Sequence, residues 1–407
     1  MNKKHLSLIA AASLTSILLS ISVSGQSVTT SVVATGLRAP TKTIMTPKGN
    51  LLVAEAGTGP NTGRISIIDG SGNRRTLIDG LPSGFAPPNM DPSGPSALAL
   101  RGRTLFIVIG AGDGTLPGPV PATEMINPNP SSAFLSAVLT MRLSPQVEEN
   151  TQGFTFTAAD QNALLTRGFA KLADSNGSEV FLEVLTNFRN YSNEPRPNFS
   201  GNVRASNPFG IAVNGEKLYV VDASQNVIWQ VNSNTGERET IFSFGPRPNP
   251  ALPAGPPFID VVPDNVRLVG KSLLVPLLIG FPFPPGASEI RKIRLSNTAN
   301  EPFIAGLSSA IDVLPFTDQF DRFHFFVLEF SSNMLAGAPG RLSRYDQADG
   351  SPVVLLNNLI SPTSITRDDA TGDLFITEIF PGRVTECMFN DLVVRFTSDN
   401  VAGRWRA

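Results

Sequence analysis

Short apolar runs that end in an acidic or small residue recur along the chain: Leu51 to Glu55, Leu105 to Ile109, Leu218 to Asp222, Leu273 to Leu278, Phe325 to Glu329 and Leu374 to Glu378. Apart from one double-length interval after the second run, they lie about 50 residues apart, the period of a four-stranded propeller blade. Each run follows a turn containing Pro or Ser, such as Ala39-Pro40-Thr41 or Ser361-Pro362-Thr363, and most precede a strand of alternating polarity such as Arg64-Ile65-Ser66-Ile67-Ile68. Such alternation marks a half-buried antiparallel strand. A fourth strand closes each unit, with hairpin turns at Asp69-Gly70 and Asn234-Thr235-Gly236. The expectation is an all-β, six-bladed β-propeller of four-stranded antiparallel blades.

The ends of the chain do not match whole units. The segment from Val28 to Ala34 resembles an outer strand, and the last unit (Thr363 to Arg367, Leu374 to Glu378, Gly382 to Cys387) lacks one. The N-terminal strand is therefore expected to complete the last blade and close the ring without an open edge. Residues 1–25 read as a secretory signal: Lys3 and Lys4 precede an apolar run, and Val23-Ser24-Gly25-Gln26 offers a small-residue cleavage site. The propeller is expected over 26–390 and a tail over 391–407. No later stretch is long and apolar enough to span a bilayer, so the mature protein is expected to be exported, to periplasm or exterior, and to be a monomer. The second unit carries two insertions, about 110–132 and 145–177. They are expected to decorate one face as site-bearing loops, the alternative being a plug that shields apolar surface.

Composition narrows the chemistry. The net charge of -2 leaves no basic footprint for nucleic acid. One cysteine excludes an internal disulfide or a thiolate zinc site, and two histidines, His5 in the signal and His324, leave little imidazole chemistry. His324 lies in an aromatic strand and reads as a framework residue; Cys387 reads as a buried, inert thiol. The Gly110-Ala111-Gly112 run is followed by no helix of the spacing a phosphate loop needs.

Three strings carry a more specific likeness: Val53-Ala54-Glu55-Ala56-Gly57 with Gly63-Arg64-Ile65, the loop Gly280-Phe281-Pro282-Phe283-Pro284-Pro285-Gly286-Ala287, and Val327-Leu328-Glu329 with Gly340-Arg341-Leu342. Together they resemble the ScyD/ScyE family, secreted propellers of scytonemin-type loci, from about Val32 to Val384. The resemblance implies a six-bladed propeller of the NHL/gluconolactonase type and leaves the biochemical role open. Where relatives carry a Glu-Leu pair before the proline-rich loop, this chain reads Val275-Pro276-Leu277-Leu278-Ile279-Gly280.

If every second strand ends on the same face, Glu55, Asp113, Asp222, Glu329 and Glu378 would form an incomplete acidic ring at the channel mouth, able to hold Ca²⁺ or a polyol. The alternative is that each carboxylate caps its own turn or pins a neighbouring blade. Loops before the innermost strands offer no gluconolactonase-like ligand set; Asn207 and Asp264 are the nearest oxygen donors. Proline preorganises the loop bearing Phe281 and Phe283, which makes these rings candidate partner contacts. The leading expectation is a binding or scaffold protein whose ligand is a protein, a glycan or a small hydrophobic molecule. The runner-up is a divalent-metal-assisted, lactonase-like hydrolase or lyase using the acidic ring.

Overall fold

The computed structural model describes residues 28–389 except 88, 121–122, 189–190, 194–200, 319 and 321. The expected signal segment and tail lie outside the described residues, among which no helix is long and apolar enough to cross a membrane. Six antiparallel sheets form the blades. From inner to outer strand, the first blade runs Pro40–Met45, Leu51–Glu55, Gly63–Ile68, Arg74–Leu81, and the third runs Pro208–Asn214, Lys217–Asp222, Val227–Asn232, Arg238–Ser243. The fourth and fifth repeat this order from inner strands Arg267–Val269 and Ala310–Thr317. In the sixth, Pro362–Arg367, Leu374–Glu378 and Arg383–Phe389 are completed by Val28–Ala34, with Thr30 opposite Cys387, so the first strand of the chain closes the ring. Inner strands of neighbouring blades touch one another around the axis, and separate apolar clusters fill the wedges between blades.

Hydroxyl groups sew several wedges together. Most inner strands open on proline, and the residue after it sits in a bulge that turns its side chain towards the next blade. Thr41 Oγ1 donates to Pro95 O at 2.8 Å, Ser96 Oγ to Pro208 O at 2.8 Å, and Thr363 Oγ1 to Pro40 O at 3.2 Å. In the fourth blade the residue after proline is Asp264: Pro263 bridges to Leu277 as Pro40 pairs with Glu55. Asp264 is buried, its Oδ2 has no hydrogen-bond partner, and burial pushes its carboxyl well above the ordinary range. Asp264→Thr is therefore expected to stabilise the fold by about 1–3 kcal/mol at neutral pH, the cost of an unsatisfied buried polar group. The folded chain holds this proton more tightly than the unfolded chain. The contribution of this one group to stability is then fullest below the ordinary value of 3.8 and declines as pH rises through the folded pKa; denaturant melts of the threonine variant across pH should lack that contribution.

The second blade has a fifth strand, Phe169–Ala173, and its two insertions part company. Residues 110–132 lie on the face where second strands end, as a hairpin of Thr115–Pro117 and Glu124–Ile126. The second insertion, 145–177, leaves from the opposite face, which corrects the expectation of one decorated face. Its first helix, α1 (Pro145–Asn150), places the buried Glu148 carboxylate against Thr46, Asn50 and Arg103, joining hairpins of the first two blades. The chain then climbs the outside of the first blade, Phe154 pairing in parallel with Ile78, and enters α2 (Ala158–Arg167), started by a Thr157/Asp160 capping box and ended by Gly168 at φ 81°. Phe154, Phe156, Leu164 and Leu172 join the core of the first two blades. This insertion is a packing strap, the alternative the sequence had left open.

Cys387 is wholly buried between the fifth and sixth blades, and burial pushes its thiol up to about 12. A thiol reagent should therefore titrate no cysteine in the native chain and one after denaturation.

Candidate binding face

Each second strand ends on one face, as expected, but the carboxylates found there turn into their own blades. Glu55 is wholly buried; Oε2 accepts from Arg38 N–H at 2.6 Å and Arg64 Nη2 at 2.6 Å, while Oε1 accepts from Arg64 Nε at 2.8 Å and from Ser66 Oγ. Glu378 repeats the arrangement with Arg383 Nε and Nη2 at 2.7 and 2.9 Å, Thr385 Oγ1 at 2.6 Å and Ile360 N–H at 2.6 Å. Glu329 accepts from Ser308 N–H at 2.7 Å and from Arg341. Asp222 has no guanidinium and takes Ser206 Oγ at 2.6 Å with the N–H groups of Asn207 and Gln225 at 2.9 Å. Burial pushes the Asp222 carboxyl up. It opposes ionisation of Glu378 too, but the Arg383, Thr385 and Ile360 bonds outweigh it and hold that carboxyl low.

These groups are staples rather than a ring. Each ties the end of a second strand to the turn entering the inner strand, and in three blades to a Gly-Arg pair opening the third strand. The glycine is required because its neighbour is so close: a Cβ on Gly63 would lie 2.5 Å from Pro95 Cδ, and one on Gly340 2.5 Å from Pro362 Cδ. The arginine then reaches back to the glutamate. Blades two and four replace the acid with the buried apolar residues Ile109 and Leu277.

Asp113 stands apart. Its carboxylate accepts from Ser131 N–H at 3.0 Å and Ser131 Oγ at 2.7 Å, closing the base of the 110–132 excursion. The residues present do not fit the expected Ca²⁺: guanidinium, hydroxyl and N–H donors occupy the carboxylate oxygens, and among the described residues no three His, Cys, Asp or Glu side chains gather as metal ligands.

Charge lies at the axis instead, where sequence reading had singled out none. Asp312, on the inner strand of the fifth blade, accepts from Arg267 Nε at 2.9 Å and Nη2 at 2.6 Å and from Ile365 N–H at 3.0 Å, with Lys42 Nζ 3.4 Å away. Arg267 Nη2 also donates to Ile365 O at 2.6 Å. Four blades thus meet on one buried carboxylate. His324 is framework: its Nδ1 lies 2.9 Å from Asp346 and Nε2 3.2 Å from Asp318, with its ring stacked on Phe316.

The face where second strands end is the apolar one. Phe281 is 55% exposed and meets Phe283 edge to face at 6.0 Å. Their loop leans on residues 249–258, since a Cβ on Gly255 would lie 2.9 Å from Pro282 Cδ. Exposed Leu252, Phe258, Leu335, Ile360 and Phe380 occupy loops of the same face on blades three to six, and Met90, Leu116, Met125 and Ile126 on blades one and two. On the opposite face, among the described residues, the large exposed apolar side chains are Phe320 and, where the outer strand of the fifth blade begins, Val353.

No family model matches the chain, and no curated protein matches it. Among solved structures it is similar to a streptogramin B lyase, with 12% identity over 89% of this chain and 98% of that one and a TM-score of 0.43. It is also similar to XC5397, a gluconolactonase from Xanthomonas campestris, with 10% identity over 88% and 89% and a TM-score of 0.46. A third likeness is a 6-phosphogluconolactonase assignment from Bacteroides uniformis, with 10% identity over 85% and 80% and a TM-score of 0.44. Likeness at this level says nothing of activity, and the architecture rests on the sheet topology described above.

Proposed function

We propose that this chain is an exported, monomeric β-propeller that acts by binding, as a member of the ScyD/ScyE group, and that it engages an apolar partner through the face bearing the Phe281 loop. The observation that carries this reading is the asymmetry of exposed apolar side chains between the two faces. Exposed apolar side chains gathered on one face mark interaction sites in soluble proteins. Pro282, Pro284 and Pro285 hold Phe281 and Phe283 in place before binding, which lowers the entropy cost of association. A protein or a hydrophobic small molecule suits this face better than a glycan. The metal-assisted hydrolase or lyase would require the staple carboxylates to leave their guanidinium, hydroxyl and N–H donors.

The test uses the fluorescent apolar probe anilinonaphthalene sulfonate on the mature chain. Wild type is expected to enhance probe fluorescence while fully folded, and the Phe281→Ser/Phe380→Ser variant to lose most of that enhancement at an unchanged melting temperature. No enhancement by wild type, or full enhancement by the variant, would sink the reading.

A further inference from the structure

A separate site lies on the perimeter. Between the outer edges of the third and fourth blades runs a cleft of about 320 Å³, the size of the smaller natural ligand pockets. One wall is the edge-to-face pair Phe242 and Phe244, with ring centroids 4.8 Å apart; the other is polar. Glu289, on the third strand of the fourth blade, is buried, and its Oε1 accepts from both Arg247 and Arg291 Nη1. Each nitrogen of the Arg291 guanidinium has a partner, Nε and Nη2 giving to Asn300 Oδ1 and O at 2.7 and 3.2 Å. Arg247 differs: among the described residues its Nε and Nη1 make no hydrogen bond, nor do Glu289 Oε2 and Asn300 Nδ2.

We propose that this cleft binds a hexuronate, an acidic sugar unit. The two guanidinium groups outnumber the carboxylate by one, so the cleft favours a single negative charge, which the free edge of Arg247 is placed to receive. Glu289 Oε2 is an acceptor for sugar hydroxyls and Asn300 Nδ2 a donor, while the phenylalanine rings face the apolar side of a pyranose ring. Other classes leave part of the site unused. A neutral hexose gives Arg247 no counter-charge, inorganic phosphate gains nothing from the rings, and a cation meets excess positive charge. The proposal does not depend on the apolar face.

Calorimetric titration of the mature chain with glucuronate, tri-galacturonate, glucose and inorganic phosphate tests it. At least one uronate is expected to bind at least tenfold more tightly than glucose and phosphate. Tighter binding of the trimer would assign the source to the end of a polymer, and equal binding to the free sugar. Arg247→Met and Asn300→Asp, the second cancelling the excess charge, should each weaken binding tenfold or more without moving the melt, whereas Phe281→Ser/Phe380→Ser should leave it unchanged. Absence of binding by both uronates, glucose or phosphate binding as tightly, or full uronate affinity in folded Arg247→Met would overturn the proposal.

Discussion

Asp312→Asn is expected to destabilise the propeller by about 3–5 kcal/mol at pH 6, the usual consequence of stripping a buried ion cluster of its counter-charge. Lys42 and Arg267 would remain facing one another, and Ile365 N–H would lose an acceptor. The loss should depend on pH. Burial, with the Arg267 charge adding to it, lowers Lys42 to about 7, against the pull of Asp312. Above that pH the folded chain has given up the Lys42 proton, so less uncompensated charge is left and the variant loses less. In wild type the unfolded chain binds the extra proton between pH 7 and its ordinary 10.5, so this residue makes stability rise across that window. Lys42→Met should flatten the rise. Asp312 contributes in the acid limb: burial disfavours its charge, but Arg267 and Lys42 outweigh this and hold it below 3.8, so its stabilisation is full above that value and fades as pH falls. Urea melts from pH 2 to 10 on the three proteins check all of these signs.

Glu55→Gln is the second large effect, again about 3–5 kcal/mol. The amide keeps the shape but strips the Arg64 guanidinium, whose side chain is only 10% exposed, of its hydrogen-bonded counter-ion. Glu329→Gln should cost less, because the Arg341 side chain is 31% exposed and can turn to water. Pairing Glu55→Gln with Arg64→Met should recover part of the loss, since a buried ion pair replaced by apolar groups is often near neutral. A ligand carboxylate would behave otherwise, losing a metal response while the fold stayed put.

The architecture was legible because blade period, hairpin turns and the unmatched ends are local signals. Strand exchange could be read from Val28 to Ala34 because an outer strand without a blade must pair somewhere, and it pairs with the strand ending at Phe389. The strand-end acids were found as well, but not their orientation. Residue identity does not say where a side chain points, and the loop between Glu and Gly-Arg varies from blade to blade, which hides the partner. Gly63-Arg64 and Gly340-Arg341 were visible as strings; only their recurrence with Gly382-Arg383 after an acid would have exposed the staple. The axial cluster had no local signal at all, since Lys42, Arg267 and Asp312 come from three different blades. The strap over 145–177 was hidden for a related reason: its parallel pairing with Ile78 reaches back to another blade.

The most direct measurement is the thermal melt of the mature chain after EDTA and after addition of excess Ca²⁺, in wild type and Glu55→Gln. A cation at about 100 times its dissociation constant would add roughly 2.7 kcal/mol, which is easily seen. Staple carboxylates predict one wild-type melting temperature under both conditions and a variant lowered equally in each. A wild-type melt that rises with Ca²⁺, together with a variant that keeps the EDTA melting temperature and loses the rise, would contradict them and restore the acidic ring as a metal site.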